Sequence, residues 1–472
     1  MRAAINILVF ALSAWSAIYY VSPDGSDSND GSEGNPFRTF HHARDALRGV
    51  SDGEKNVIVK GGDYFLDEPI SLDERDNGTA WRGADGEEAW IFGGKKVTGW
   101  EAAGGNLYRT QLDLGADISL DTAVWSLSEN GRHCRLAQHP NIFEGTMHGV
   151  IIGTNADDRN VMRPMTYDPD EVPSDWQDDY HMRSTVAANG WFSQTWPVDN
   201  VDFASHVIQL DGRDWSRGSY NLLGAREFID LPGEWAVTED GYLYYRPKHT
   251  PIENQTIVVG TILRIFEIRG SSPGSPAQNI TIEGLNLSTT DCTYRGLSNK
   301  QTPTNLGDGN SANCDDDYTR HAIIVLENAE QVTVRHCRIM NAGIMGILLN
   351  YHAQNNLIEG NWIEGTNYHG ICLQGYCVQT GPWEQINRDN TVRNNFIYRT
   401  ARLWSNGAGV YLHQSGYNKI WNNEIREMAR YALTQKGGYP SHLPACYKDA
   451  ACMDQYGRTE HNSVRYNDVS HA

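Results

Sequence analysis

Residues 334–373 read VRHCRIMNAGIMGILLNYHAQNNLIEGNWIEGTNYHGICL, and one short pattern occurs in them twice. Val334 and Ile339 stand five residues apart, as do Ile358 and Ile363. Gly346-Ile347-Leu348-Leu349 follows the first pair and Gly370-Ile371-Cys372-Leu373 the second. Outward from there the pair returns as Ile282/Leu287, Val392/Ile397, Ile420/Ile425 and Val464/Val469, and the glycine-led run as Gly409-Val410-Tyr411-Leu412. Three residues after the first member of each pair comes Leu285, Cys337, Asn361, Asn395, Asn423 or Asn467. Four asparagines in one register predict a stacked corner. Asn tolerates unusual backbone angles there and bonds its equivalents above and below.

Each unit thus carries short strands and a bend, while successive units begin 24, 34, 28 and 44 residues apart from Val334 to Val464. A constant strand core with loops of variable length gives that unevenness. A leucine-rich repeat would hold a steadier period, and a propeller four strands per blade. The fold expected is therefore all-β, a right-handed parallel β-helix whose rungs lie ~4.8 Å apart. Residues 17–100 read as a cap, with a short helix over Phe40–Leu47, and the first rungs. Residues 101–251 lose the rung spacing and collect Trp125, Trp176, Trp191, Trp196, Trp215 and Trp235, the texture of an inserted β-sandwich-like domain. Rungs occupy 252–472. Val464 would need its second strand near residue 477, so the last unit reads as cut short.

Arg2 followed by the apolar run Ile5–Trp15 and the small residues around Ser16 has the form of a signal peptide over residues 1–16, and no later stretch approaches the ~20 apolar residues of a membrane span. A secreted monomer is expected. A net charge of −20 excludes a nucleic-acid footprint and an electrostatic grip on anionic lipid. The eight cysteines lack zinc spacing; Cys372/Cys377 and Cys446/Cys452 read as loop staples, Cys292/Cys314 as a longer brace, and Cys337 as a free core residue.

The opening YYVSPDGSDSNDGSEGNPFRTFHHARDAL (19–47), IFGGKKVTGW (91–100) and LPGEWAVTEDGYLYYRPK (231–248) resemble blocks of right-handed β-helix proteins of carbohydrate metabolism. The resemblance implies a polysaccharide or oligosaccharide substrate. In relatives such as certain β-xylosidases and fucosidase-like hydrolases, a β-sandwich is inserted into the helix and paired carboxylates act beside it.

Glycoside hydrolysis needs two carboxyls across the scissile bond. Asp315 and Asp317, in the acidic run 314–318, are the expected nucleophile or base, and the same run could hold Ca²⁺ through oxygen ligands. No cofactor is otherwise required. Glu384, beside Trp383, is the expected acid, its proton held by desolvation. His321 and His369 each precede a second strand and are read as sharing one register, two rungs or ~9.6 Å apart. Arg320, His413, Trp404 and Lys436 complete the expected sugar-binding set. A uronate lyase or epimerase built on Arg320, His321 and Lys436 is the competing chemistry. A non-catalytic glycan-binding adhesin is the third reading, which the long segments at 289–319, 374–390 and 436–460 disfavour.

Overall fold

A computed structural model describes residues 16–51, 53–113, 126–141, 165–167, 169, 172, 176, 183–188, 192–210, 220–292, 320–375, 386–403, 407–436 and 461–470; every structural statement below refers to these. The repeats form a right-handed parallel β-helix with three faces. The first face runs in nine strands from Ser16–Val21 to Ser463–Arg465, and the second in eight from Gly62–Phe65 to Asp468–Ser470. The third begins at Ile70–Leu72 and ends at Tyr431–Lys436. The paired apolar residues are the central, inward residues of the first two faces. Ile282, Val334, Ile358, Val392 and Ile420 align on one, Leu287, Ile339, Ile363, Ile397 and Ile425 on the other. The third face alternates strictly, with Ile324 and Leu326, Ile347 and Leu349, Ile371 and Leu373, and Val410 and Leu412 turned into the same core. The helix Phe40–Arg48, capped by the Thr39 hydroxyl accepting from the His42 N–H, lays Phe40, Ala43 and Leu47 against that core.

The asparagine corner forms as expected. Asn395 Oδ1 accepts both the Asn361 backbone N–H and its Nδ2, each at 3.0 Å. Asn423 does the same for Asn395, and Asn467 for Asn423. Each Nδ2 also donates to a carbonyl of the preceding rung, as Asn395 does to Ile358. One detail differs from expectation, because the ladder asparagines themselves are not left-handed. The residue before each one carries the positive φ: Gly360, Asn394, Asn422 and Tyr466. The left-handed residue turns the chain, and the next residue is then placed to aim its amide along the stack.

A second ladder runs two residues before each first-face centre. Asn390 Oδ1 accepts from Asn356, Asn418 from Asn390, and Asn462 from Asn418. Gln331, Asn355, Asp389, Tyr417 and His461 are the left-handed residues before this register. At the earlier end Val332 and Cys337 occupy the two ladder positions, and their N–H groups donate to Asn356 and Asn361. Cys337 is a buried free thiol there, and burial pushes it up to about 12.

The solenoid is interrupted once on a large scale. Ala89–Phe92 pairs in register with Asn286–Ser288, and Ile70–Leu72 with Phe266–Arg269, so these stacked neighbours are far apart in the chain. Between them Gly94 to Gly260 contributes an eight-stranded and a six-stranded sheet, almost wholly antiparallel. Asn341, left-handed at the end of a second-face strand, joins the two parts. Its Nδ2 donates to Ser126 Oγ and the Leu127 carbonyl, and its Oδ1 accepts from His133 Nδ1 at 2.6 Å.

Replacing a mid-ladder asparagine orphans donors and an acceptor in a dry corner, whereas the last rung is wetter, with Val464 and Val469 about half exposed. Asn395→Ala is expected to cost ~3 kcal/mol in urea unfolding and Asn467→Ala ~1 kcal/mol. Equal costs would show that the ladder does not act as a buried network.

Candidate functional site

The outward side of the third face is not a wet surface. Val325, Leu348 and Cys372, successive in register, are fully buried, and Tyr411 follows them nearly so. With Ile344, Met345, Tyr368 and Ala408 they make a second apolar cluster outside the solenoid core. Two residues further along each strand lies a row of polar side chains in strict register: Arg269, Glu327, Asn350, Gln374, His413 and Lys436. Five rung steps make it about 24 Å long.

The early part of the row is a continuous charged network. Arg269 Nη2 reaches Glu267 Oε1 at 3.2 Å and Glu327 Oε2 at 3.3 Å, so those two carboxylate oxygens can be no further apart than these contacts laid end to end. Glu327 Oε2 also accepts from Asn350 Nδ2 at 2.7 Å. Asn350 Oδ1 accepts from Arg320, whose guanidinium lies 4.0 Å from the Tyr351 ring centroid. Arg264 donates to Glu267 and, through Nη2, to His321 Nδ1 at 2.9 Å. Such density of paired charge within a largely buried surface holds every group in one geometry. Guanidinium and amide donors hold Glu267 Oε1 and Glu327 Oε2 in place.

The later part contains an unsatisfied donor. Gln374 is 1% exposed, its Oε1 faces the Cys372 thiol at 3.8 Å, and its Nε2 is buried with no hydrogen-bond partner. An orphaned buried amide donor between Asn350 and His413 is the feature of this face that most plainly waits for a ligand acceptor. His413, also 1% exposed, sits beside Tyr411 with ring centroids 6.1 Å apart.

The expected residues divide accordingly. Arg320 and His413 lie on this face, and Lys436 follows His413 in backbone register, its side chain lying outside the description. His321 and His369 do not share a register, which corrects the sequence reading. Ile324, Ile347 and Ile371 align, placing His321 three residues before the aligned position and His369 only two. Counting offset from the strand's visible start concealed the shift. His369 is packed rather than presented: Nδ1 accepts the Ala408 N–H at 2.9 Å and the ring stacks on Tyr411 at 4.3 Å. Asp315, Asp317, Glu384 and Trp404 lie outside the described residues, as do Cys314, Cys377, Cys446 and Cys452. The Cys372–Cys377 staple is not formed. Cys372 is a free thiol in mid-strand, raised by its burial among apolar side chains.

Glu267, Arg269, Glu327, Asn350 and Gln374 were not anticipated, although a signal for them exists. Each of the last three directly follows an apolar triplet, in IVLE, ILLN and ICLQ, as His413 follows VYL.

Residues 322–470 match the family model described as a right handed beta helix region. No curated protein matches the chain in sequence. A solved structure described as a glycoside hydrolase superposes with a TM-score of 0.68 at 15% identity, covering 96% of each chain. The complex of XylC with xylose aligns at a TM-score of 0.48 and 14% identity, over 89% of this chain and 60% of that one. At these identities the likeness is one of fold.

Burial, reinforced by Arg264 and Arg269, holds His321 down to about 3. Below pH ~6.5 the unfolded chain binds a proton that the folded chain refuses, so stability falls as the pH drops through that window towards 3. His321→Gln keeps an acceptor for Arg264 and removes the titration. Between pH 7.5 and 5 the wild type is expected to lose ~2 kcal/mol more than the variant in urea unfolding. Parallel pH profiles would contradict the assignment.

Proposed function

We propose that the chain is a secreted glycoside hydrolase acting on a polysaccharide laid along the polar row of the third face. The observation that carries this reading is the buried, unpartnered Gln374 amide in a register-aligned row of hydrogen-bonding side chains. Sugars are dense in hydroxyls that both donate and accept, and a row repeating every ~4.8 Å offers each a donor or an acceptor. The fold match over 96% of a glycoside hydrolase chain is compatible with it.

The reacting carboxyls are assigned to the segments that join this face. Asp317 is three residues from Arg320, so chain connectivity keeps their Cα atoms within about 11 Å. Glu384 belongs to the segment that begins after Gln374. In this mechanism one carboxyl, Glu384, gives its proton to the leaving glycosidic oxygen. Asp315 or Asp317 either attacks the anomeric carbon or takes a proton from the water that does. The Arg269–Glu327–Asn350–Arg320 network orients the sugar and holds the floor of the cleft rigid.

The test is incubation with a panel of neutral and uronate-containing glycans, following new reducing ends and ultraviolet absorbance together. New reducing ends without absorbance are expected. Asp315→Asn, Asp317→Asn and Glu384→Gln should be compared, and loss of the acting pair should lower kcat at least ~100-fold. Gln374→Ala should act mainly on KM. An unsaturated, absorbing product would replace hydrolysis by elimination, and binding without turnover would make the protein a glycan-binding solenoid.

A further inference from the structure

The second face carries a feature that the proposed cleft does not use. Its outward residues form two registered rows, Arg338–Trp362–Phe396–Glu424 and Met340–Glu364–Tyr398–Arg426. Trp362 is 43% exposed, although burying such a ring would be strongly favourable. Phe396 lies beside it in the next rung at 4.5 Å between centroids, and Tyr398 stacks on Phe396 at 5.8 Å and 26°. Trp362 and Phe396 therefore adjoin along the solenoid axis and Tyr398 widens the aromatic surface across it, just beyond the rungs that Asn341 and Ser288 fasten to the insertion.

Each arginine beside these rings is paired with a carboxylate. Arg338 pairs with Glu88 at 3.0 Å, Arg399 with Glu427 at 2.8 Å and Arg426 with Glu424 at 2.6 Å. Glu364 accepts from the Trp362 indole N–H at 2.9 Å. Three arginines thus face four carboxylates, which leaves the patch slightly negative on a chain of net charge −20. That balance offers an acidic polymer no counter-charge. At 4.5 and 5.8 Å between centroids, the rings present contiguous faces. A neutral sugar fits both conditions, since its apolar C–H face stacks on a ring while its rim of hydroxyls meets the flanking Arg and Glu groups.

We infer that Trp362, Phe396 and Tyr398 form a second glycan-binding platform, separate from the cleft, that takes a neutral polysaccharide strand running along the solenoid axis.

Affinity electrophoresis of the full chain through gels containing xylan, mixed-linkage glucan, galactomannan or polygalacturonate tests it. At least one neutral polymer should retard the wild type. Trp362→Ala should weaken that retardation about fivefold or more, and Trp362→Tyr should largely preserve it. Turnover of short soluble oligosaccharides should be the same in Trp362→Ala as in wild type. Retardation by polygalacturonate alone, by no polymer, or equally in wild type and Trp362→Ala would overturn the inference, as would loss only in Gln374→Ala. Failure of the hydrolase reading shows as absent turnover and leaves the retardation result unaffected.

Discussion

A backbone N–H turned inward at a solenoid corner has no water to bond to, and the structure answers it with a side-chain oxygen from the next rung. At both first-face corners that oxygen belongs to an asparagine, and each asparagine serves the rung before it. The arrangement works only if consecutive corners are superimposable. From the left-handed residue before the first ladder position to the one closing the second face, the blocks Gln331–Asn341, Asn355–Gly365, Asp389–Arg399 and Tyr417–Glu427 are accordingly equal in length. Nothing can be inserted there without orphaning buried amides on two rungs.

Length variation is therefore driven to the flanks of the third face, where residues 293–319, 376–385 and 437–460 intervene in the sequence. The same constraint explains why the polar row and the second apolar cluster lie on that face. There the outward side chains Leu348 and Gln374 are buried, as Ser288 and Met340 are on the early second face. The second face is instead sealed by the insertion over its early rungs and left open over Trp362 and Phe396.

What could be read from the residues alone follows from what repeats locally. The Ile358/Ile363 pairs and the Asn361 register are set by contacts within a rung and to its neighbours, so spacing reveals them. The Asn356 ladder obeys the same rule two residues earlier and was legible, but the signal was read at one position only. The His321 and His369 registers were misjudged because glycine and apolar residues at a strand's start do not mark which residue pairs across. The extent of the antiparallel part was drawn from 101 to 251, whereas its strands run from Gly94 to Gly260. Those terminal strands pair with each other and not with sequence neighbours, so no periodicity announces them. The Glu267–Arg269–Glu327 network needs knowledge that residues from separate rungs stack, which the fold supplies and composition does not.

The placement of the insertion also bears on how the molecule assembles. Rungs from Ala322 onward meet neighbours a few tens of residues away, whereas Phe92 and Trp81 must find Ser288 and Ile282 across the whole intervening chain. Loop-closure entropy grows only slowly with length, but every such contact waits for distant parts to meet. Nucleation is therefore favoured in the asparagine-rich rungs, whose contacts are the most local. The N-terminal rungs then have a preformed edge on which to add strands, the Asn286–Ser288 edge offering the template against which Ala89–Phe92 completes its pairing.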